Sequence, residues 1–164
     1  MPDFEKMTPE LSRLFLRIDA AGPTDPTLVA AADLWRATRG SDICPRESLW
    51  QELPSSIRSH AFLVHKAPDD TLEWTFSEAG SSASLILGGN AGPIIKVTEP
   101  ELAIRLHPLF DLVERKGEPY AAMFELAPSA GRRRLCEVYA APLLAQQPRV
   151  SAQFAVLSLR EEAM

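Results

Sequence analysis

The sequence predicts an α+β protein in which a five-stranded antiparallel sheet carries its helices on one face, preceded by an amphipathic N-terminal helix. Two observations support this class. Apolar residues recur at helical spacing near the N-terminus and again over residues 99–116, whereas apolar and polar residues alternate over residues 72–76 and over three segments after residue 119. Helices and strands also fall into separate blocks along the chain, which is typical of α+β rather than α/β proteins.

Length and composition are those of one globular domain. The chain has 164 residues, of which 46% are hydrophobic and 24% charged, so it can bury a core without help from a metal or a disulfide. Its formal net charge of -5 disfavours nonspecific binding to nucleic acid or to anionic membranes. The polar N-terminus does not resemble a signal peptide, and no apolar run approaches the roughly 20 residues that span a bilayer. We therefore expect a cytoplasmic protein.

The chain is predicted to consist of an N-terminal helical extension and linker (residues 1–24), a domain (residues 25–159) and a short charged tail (residues 160–164) that frays. The first helix is predicted over residues 8–18, where an apolar stripe follows the spacing i, i+3, i+4, i+7. The stripe must be buried somewhere, so we expect it to pack on the sheet or on the same helix of a second copy, giving a symmetric homodimer. The expected dimer contacts are Leu11, Leu14, Phe15 and Ile18.

Further helices are predicted over residues 26–38, 79–87 and 99–116. Asp25 is expected to cap the first of these, and Gly40 to end it. Residues 41–56 are interpreted as a loop and a short helix bounded by prolines. Pro108 lies inside the last helix and is expected to kink it.

Five strands complete the prediction. Residues 61–64 and 72–76 are expected to form a hairpin through a turn at residues 68–70. Residues 120–126, 134–143 and 150–159 are expected to form a three-stranded antiparallel meander, since short turn-like segments separate them.

The order of these elements resembles that of PAS domains, ββ-ααα-βββ. The segment LWRATRGSDICPRESL (residues 34–49) is similar to the entry of short stand-alone bacterial PAS-like proteins, followed by the strands AFLVH and LEWTF and, later, by Ala141-Pro142-Leu143. The resemblance covers residues 25–159. It implies a sensory or protein-interaction module that acts in trans on a signalling partner, and it leaves the ligand unidentified.

In PAS domains a ligand cavity lies between the sheet and the helices. The resemblance therefore implies a pocket to which Trp74, His107, Tyr139 and Gln153 contribute. Alternation along the strands places Tyr139 and Gln153 on one face, opposite Phe154. His107 is the best-placed axial ligand if the cofactor were haem, although the sequence identifies no cofactor.

The remaining motifs favour ordinary structural roles. Neither the three histidines nor Cys44 and Cys136 have metal-site spacing, and we expect the cysteines to be reduced thiols. The glycine-rich residues 88–92 lack the ending of a phosphate loop. Residues 132–134 are three arginines in a predicted turn, interpreted as exposed charge or, alternatively, as a site for a small anion or an acidic partner.

Two other interpretations remain open. One is an enzyme of the ketosteroid-isomerase-like type, in which His107 and Asp111, one helical turn apart, would supply acid–base chemistry. The other is an interaction domain with a filled core. No catalytic residue and no metal ligand is predicted from a motif.

Overall fold

The computed structural model describes residues 9–20, 22–39, 45–46, 48–66, 73–145 and 150–163. Its strands form one antiparallel sheet with helices on both faces. The helices are α1 (Pro9–Leu14), α2 (Pro26–Arg39), α3 (Leu49–Glu52), α4 (Ser55–Arg58), α5 (Ser81–Leu87), α6 (Ile94–Val97) and α7 (Pro100–Lys116). The strands are β1 (Arg17–Asp19), β2 (Ala61–Lys66), β3 (Thr75–Ala79), β4 (Gly92–Pro93), β5 (Tyr120–Ser129), β6 (Arg132–Leu143) and β7 (Ser151–Ala163), arranged in the order β1-β5-β6-β7-β2-β3-β4.

The prediction of a five-stranded sheet with helices on one face is wrong. The sheet has seven strands among the described residues, because β1 and β4 extend it at its two edges. Strand β4 has two residues, too few to show alternation. Residues 17 and 18 of β1 fit the end of the apolar helical pattern over residues 8–18. Their pairing with β5 overrides that local helical preference.

One face of the sheet packs against α5, α6 and α7. The buried side chains of α7 lie on one stripe of the helix and contact the alternate residues of β5, β6 and β7 that point towards it. Aromatic rings fill the middle of this layer. Phe110 of α7 lies 6.1 Å from Phe62 and 5.6 Å from Trp74, measured between ring centroids.

The other face packs against α2, α3 and α4, which the prediction placed on the same side as α7. Strand β6 explains why both faces need a cover, since every residue from 135 to 141 is buried. Leu28, Ala31, Ala32 and Trp35 of α2 lie against this face. The indole of Trp35 also donates a 3.0 Å hydrogen bond to the Pro142 carbonyl, which fixes the second half of α2 on the sheet.

The N-terminal segment passes around the β5 edge of the sheet instead of forming a separate extension. The predicted helix over residues 8–18 ends at Leu14, and Ile18 pairs with Ala122 of β5. Phe15 and Ile18 are buried in the core of their own chain, and Leu11 and Leu14 pack against that core. The apolar stripe expected at a dimer contact is therefore covered from within the molecule.

The C-terminal residues are also part of the sheet. Strand β7 continues to Ala163, and its last residues pair with residues 132–135 of β6. The predicted fraying tail over residues 160–164 is thus in the strand as far as Ala163. The sheet therefore includes residues from both segments that were predicted to lie outside the domain.

The buried carboxylate of Glu137 holds Thr24 and Asp25, just before α2, against the sheet. Glu137 of β6 accepts hydrogen bonds from the backbone N–H groups of Thr24 (2.8 Å) and Asp25 (2.9 Å) and from the Thr24 hydroxyl (3.1 Å). Asp25 in turn accepts from the backbone N–H groups of Thr27 and Leu28, which confirms the predicted N-cap of α2. We call the contact of Glu137 with Thr24 and Asp25 the Glu137 latch.

Replacing Glu137 by glutamine is expected to lower the free energy of unfolding by about 2 kcal/mol. The neutral amide loses charge-assisted bonds and turns its own N–H groups towards buried donors. Urea unfolding of the purified variant measures the change. Glu125→Gln is the matched control, because Glu125 is a half-exposed residue of β5 paired with Arg133, and its loss should cost less than about 1 kcal/mol. Equal losses in the two variants would contradict a role for the latch.

Candidate functional site

An apolar groove runs along the outer surface of α7. It has a volume of about 460 Å³ and is lined by Pro100, Ala103, Ile104, His107 and Pro108. These residues recur at i, i+3, i+4, i+7 and i+8, so they form a second stripe on the helix, which adjoins the stripe that faces the sheet at buried Ala103. Ile104 is 53% exposed, so the groove presents a large apolar side chain to solvent. We call this feature the α7 groove.

His107 is the polar residue that lines the α7 groove. Its Nε2 atom is buried and has no hydrogen-bond partner among the described residues. Burial lowers the pKa of His107 below its ordinary value of 6.5, and the nearby carboxylates of Asp111 and Glu73 partly oppose this effect. The ammonium group of Lys66 adds to the lowering. The groove therefore contains a neutral imidazole at neutral pH, with one ring nitrogen, Nε2, buried without a partner among the described residues.

The lowered pKa of His107 is expected to reduce stability at acidic pH. Below about pH 6.5 an unfolded histidine takes up a proton that the folded protein resists, so stability falls as the pH drops below that value. His107→Gln should lose less stability than wild type between pH 7.5 and pH 5.5, as measured by urea unfolding at both pH values. Asp111→Asn should lose more, because it removes the carboxylate that favours protonated His107. The opposite ranking of these variants would contradict the assignment.

A polar cluster lies at the C-terminal end of α7. The Lys66 ammonium group pairs with Glu114, lies 3.9 Å from Asp111 Oδ1 and sits 5.1 Å from the centroid of the Trp74 ring. Ser151 donates a hydrogen bond to Glu114, and the Trp74 indole donates one of 3.0 Å to Asp111 Oδ1. These contacts tie α7 to β2 and β7. They also bear on the acid–base alternative, since Asp111 Oδ1 is held by Trp74 and Asp111 is not among the residues that line the groove.

The four residues of the expected ligand pocket do not meet at one place. Trp74 is fully buried against Phe110, and Gln153 donates a 2.7 Å hydrogen bond from Nε2 to the Phe110 carbonyl. His107 lies on the same helix at the groove. Tyr139, however, pairs with Val156 and belongs to the core on the α2 face. The expectation that Tyr139 and Gln153 share a face is wrong, because the register places Pro142 opposite Gln153.

Three of these four side chains carry a buried polar atom with no hydrogen-bond partner in the described part of the chain: His107 Nε2, the Tyr139 hydroxyl and Gln153 Oε1. Burial also raises the pKa of the Tyr139 phenol. The same effect raises the pKa of the Cys136 thiol to about 12, so this cysteine is an unreactive core residue. Cys44, Gly40 and the predicted turn at residues 68–70 lie outside the described residues.

The three consecutive arginines lie at the start of β6 and not in a turn. Each of them pairs with at least one glutamate, from a neighbouring strand or from the start of α7, so these pairs neutralise the charge that an anion would need. The pairs are Arg132 with Glu161 (3.8 Å), Arg133 with Glu125 and with Glu162 (3.7 Å), and Arg134 with Glu99 (3.4 Å) and with Glu101 (3.8 Å).

Comparisons with known proteins found no matching family model and no matching curated protein. In the part of the chain that the structure describes, no helix combines the length and apolarity needed to cross a bilayer. No three His, Cys, Asp or Glu side chains among these residues are placed to hold a metal ion.

Sequence reasoning identified His107 but missed the rest of the α7 groove. The signal was present, because Pro100, Ala103, Ile104 and Pro108 form a second weakly apolar stripe on the same helix. Pro108 inside a helix predicts a kink of the backbone, but its ring also adds apolar surface to the groove.

Proposed function

We propose that the protein is a binding module that acts in trans on a signalling partner, as its resemblance to stand-alone PAS proteins implies, and that the α7 groove is where the partner binds. The observation that carries this proposal is the combination of an exposed Ile104 with an unpartnered His107 Nε2 in one groove. An apolar surface with one or two polar groups is typical of a recognition site.

The layer between the sheet and α7 supports a partner at the surface over a ligand in the interior. Phe62, Trp74 and Phe110 are fully buried with their rings in contact, and Gln153 is 1% exposed. A ligand in this layer would have to displace side chains that already pack on one another. A partner at the α7 groove would bury Ile104 without disturbing the core.

The groove's shape suggests the chemistry of the contact. An aliphatic or aromatic side chain of the partner would lie between Ile104 and Pro108, beside the His107 imidazole. Neighbouring Asp111 is 53% exposed at its side chain, which would favour a basic residue at the rim.

Site-specific photo-cross-linking tests the proposal. A photoreactive amino acid at position 104 should capture a defined partner in cells, whereas the same residue at position 29 should not, since Val29 is an exposed apolar residue on the opposite face of the sheet. The captured protein is then purified and titrated against wild type, Ile104→Glu and Val29→Glu. At least tenfold weaker binding in Ile104→Glu alone supports the proposal. Equal affinity in all three proteins overturns it.

We also propose that the protein forms a homodimer, and a separate experiment tests this. Light scattering coupled to size-exclusion chromatography measures the mass of wild type, Leu16→Glu and Ile104→Glu. Leu16 is 62% exposed and is the large exposed apolar side chain among the described residues 9–20, since Phe15 and Ile18 are buried. A dimer that Leu16→Glu dissociates would place the contact at the N-terminal segment. A wild-type monomer would remove the homodimer from the proposal.

A further inference from the structure

A second cleft opens on the other side of the sheet, between α3 and the strands β2 and β3. It has a volume of about 240 Å³ and a floor formed by buried Leu63. Trp50 forms part of one wall, and Glu78 lies on the opposite one. The remaining lining residues are all polar, and they are Ser48, Gln51, His65 and Ser77. We call this feature the Trp50 cleft.

The wall that carries Trp50 is fixed in position although α3 has only four residues. The guanidinium group of Arg58 donates hydrogen bonds to the carbonyls of Gln51 (3.2 Å) and Leu53 (2.9 Å), which are at and just beyond the end of α3. On the other side of α3, the Leu144 backbone N–H donates a 2.8 Å bond to the Pro45 carbonyl. The cleft is therefore preformed, so a ligand would not have to order its walls.

A β-bulge shapes the opposite wall. The register between β2 and β3 shifts between Leu63 and Val64, which leaves Ser77 as an extra residue on β3. Consecutive residues of a regular strand point to opposite faces, yet Ser77 and Glu78 both line the cleft. The Ser77 hydroxyl donates a 3.4 Å hydrogen bond to the Leu63 carbonyl. Bulges commonly redirect side chains at binding sites, and this one adds a hydroxyl beside a carboxylate.

The charge and the aromatic wall define the chemical class of ligand. Among the described residues that line the cleft, Glu78 is the acidic one, and none is Lys or Arg. We propose that the Trp50 cleft binds a small organic cation of the guanidinium type. A planar guanidinium group can pair with the Glu78 carboxylate through two N–H groups and stack on the Trp50 indole. This site is distinct from the α7 groove, since the two lie on opposite faces of the sheet.

Titration of ¹⁵N-labelled protein with ethylguanidinium chloride, followed by NMR at constant ionic strength, tests the inference. The uncharged analogue ethylurea has nearly the same shape and serves as the ligand control. We expect saturable shifts of the Trp50 indole and of the Ser77 and Glu78 amides with ethylguanidinium, and at least tenfold weaker binding of ethylurea. The Trp50 indole signal is assigned by its loss in Trp50→Phe.

Two matched variants complete the experiment. Glu78→Gln should weaken ethylguanidinium binding at least tenfold, whereas Glu118→Gln should leave it unchanged, because Glu118 is an exposed glutamate outside the cleft. Both residues are exposed, so folding should survive, and the dispersion of the amide spectrum confirms it. Equal shifts with ethylurea, or a Glu78→Gln affinity within twofold of wild type, would overturn the inference.

Discussion

Replacement of Gly80 by alanine is expected to lower the free energy of unfolding by about 3 kcal/mol. A Cβ atom at position 80 would lie 1.8 Å from the Arg58 carbonyl oxygen and 2.6 Å from that of Ser59. Both neighbours are backbone atoms, and the Ser59 carbonyl also accepts a 2.9 Å hydrogen bond from the Ala83 N–H in the first turn of α5. Because backbone held on both sides cannot move aside, the substitution belongs at the upper end of overpacking costs. Urea unfolding monitored by tryptophan fluorescence measures the loss.

Gly131→Ala separates this steric effect from the general cost of replacing glycine. Gly131 has a φ of +74° in the turn between β5 and β6, and an added Cβ would meet nothing within 4 Å. Its expected cost is about 1 kcal/mol, which reflects the left-handed backbone alone. A Gly80→Ala variant that lost no more stability than Gly131→Ala would show that α4 and α5 are not packed as closely as the structure has them.

Replacement of Phe110 by alanine should cost about 4 kcal/mol, the largest effect of a single side chain that we expect in this protein. The ring is fully buried and contacts two other aromatic rings, so its removal leaves a cavity in the layer between α7 and the sheet. Ile104→Ala on the exposed side of the same helix is the control, and it should change stability by less than about 1 kcal/mol. Thermal and urea unfolding of both variants provide the comparison.

The result for Phe110 also bears on function. A cost near 4 kcal/mol means that the interior layer is tightly filled, which favours a partner at the α7 groove over an interior ligand. A cost below about 1 kcal/mol would mean that the layer is loosely packed and can accommodate a ligand between Trp74 and the sheet.

Local patterns predicted the long elements well. Helix α7 begins within a residue of its predicted start and ends at Lys116, because its apolar stripe and its terminal glycine both carry clear signals. Alternation likewise located β5, β6 and β7. What local patterns could not show was the number of sheet faces to be covered. Both faces need a cover because every residue of β6 from 135 to 141 is buried. The α2 face of β6 carries Tyr139 and Ala141, which can lie at a surface as well as in a core, so the sequence does not mark this face as buried.

The short edge strands and the sites were harder to predict because they depend on contacts between distant residues. Strand β1 exists through pairing with β5, about a hundred residues later, and the three-residue segment has no pattern of its own. Tyr139 was assigned to the wrong face because alternation along one strand says nothing of its register with the next. The Trp50 cleft depends on a bulge that no sequence signal marks.

The path of the N-terminal segment has a consequence for how the chain matures during synthesis. The residues of β1 are translated before their partner β5 and the carboxylate of Glu137, which follow more than a hundred residues later. The Phe15 side chain and the backbone of β1 therefore stay exposed until β5 has been made. Strand β2 is in the same position, because its partner β7 is also made later, so early strands of this sheet stay exposed until distant parts of the chain have been translated.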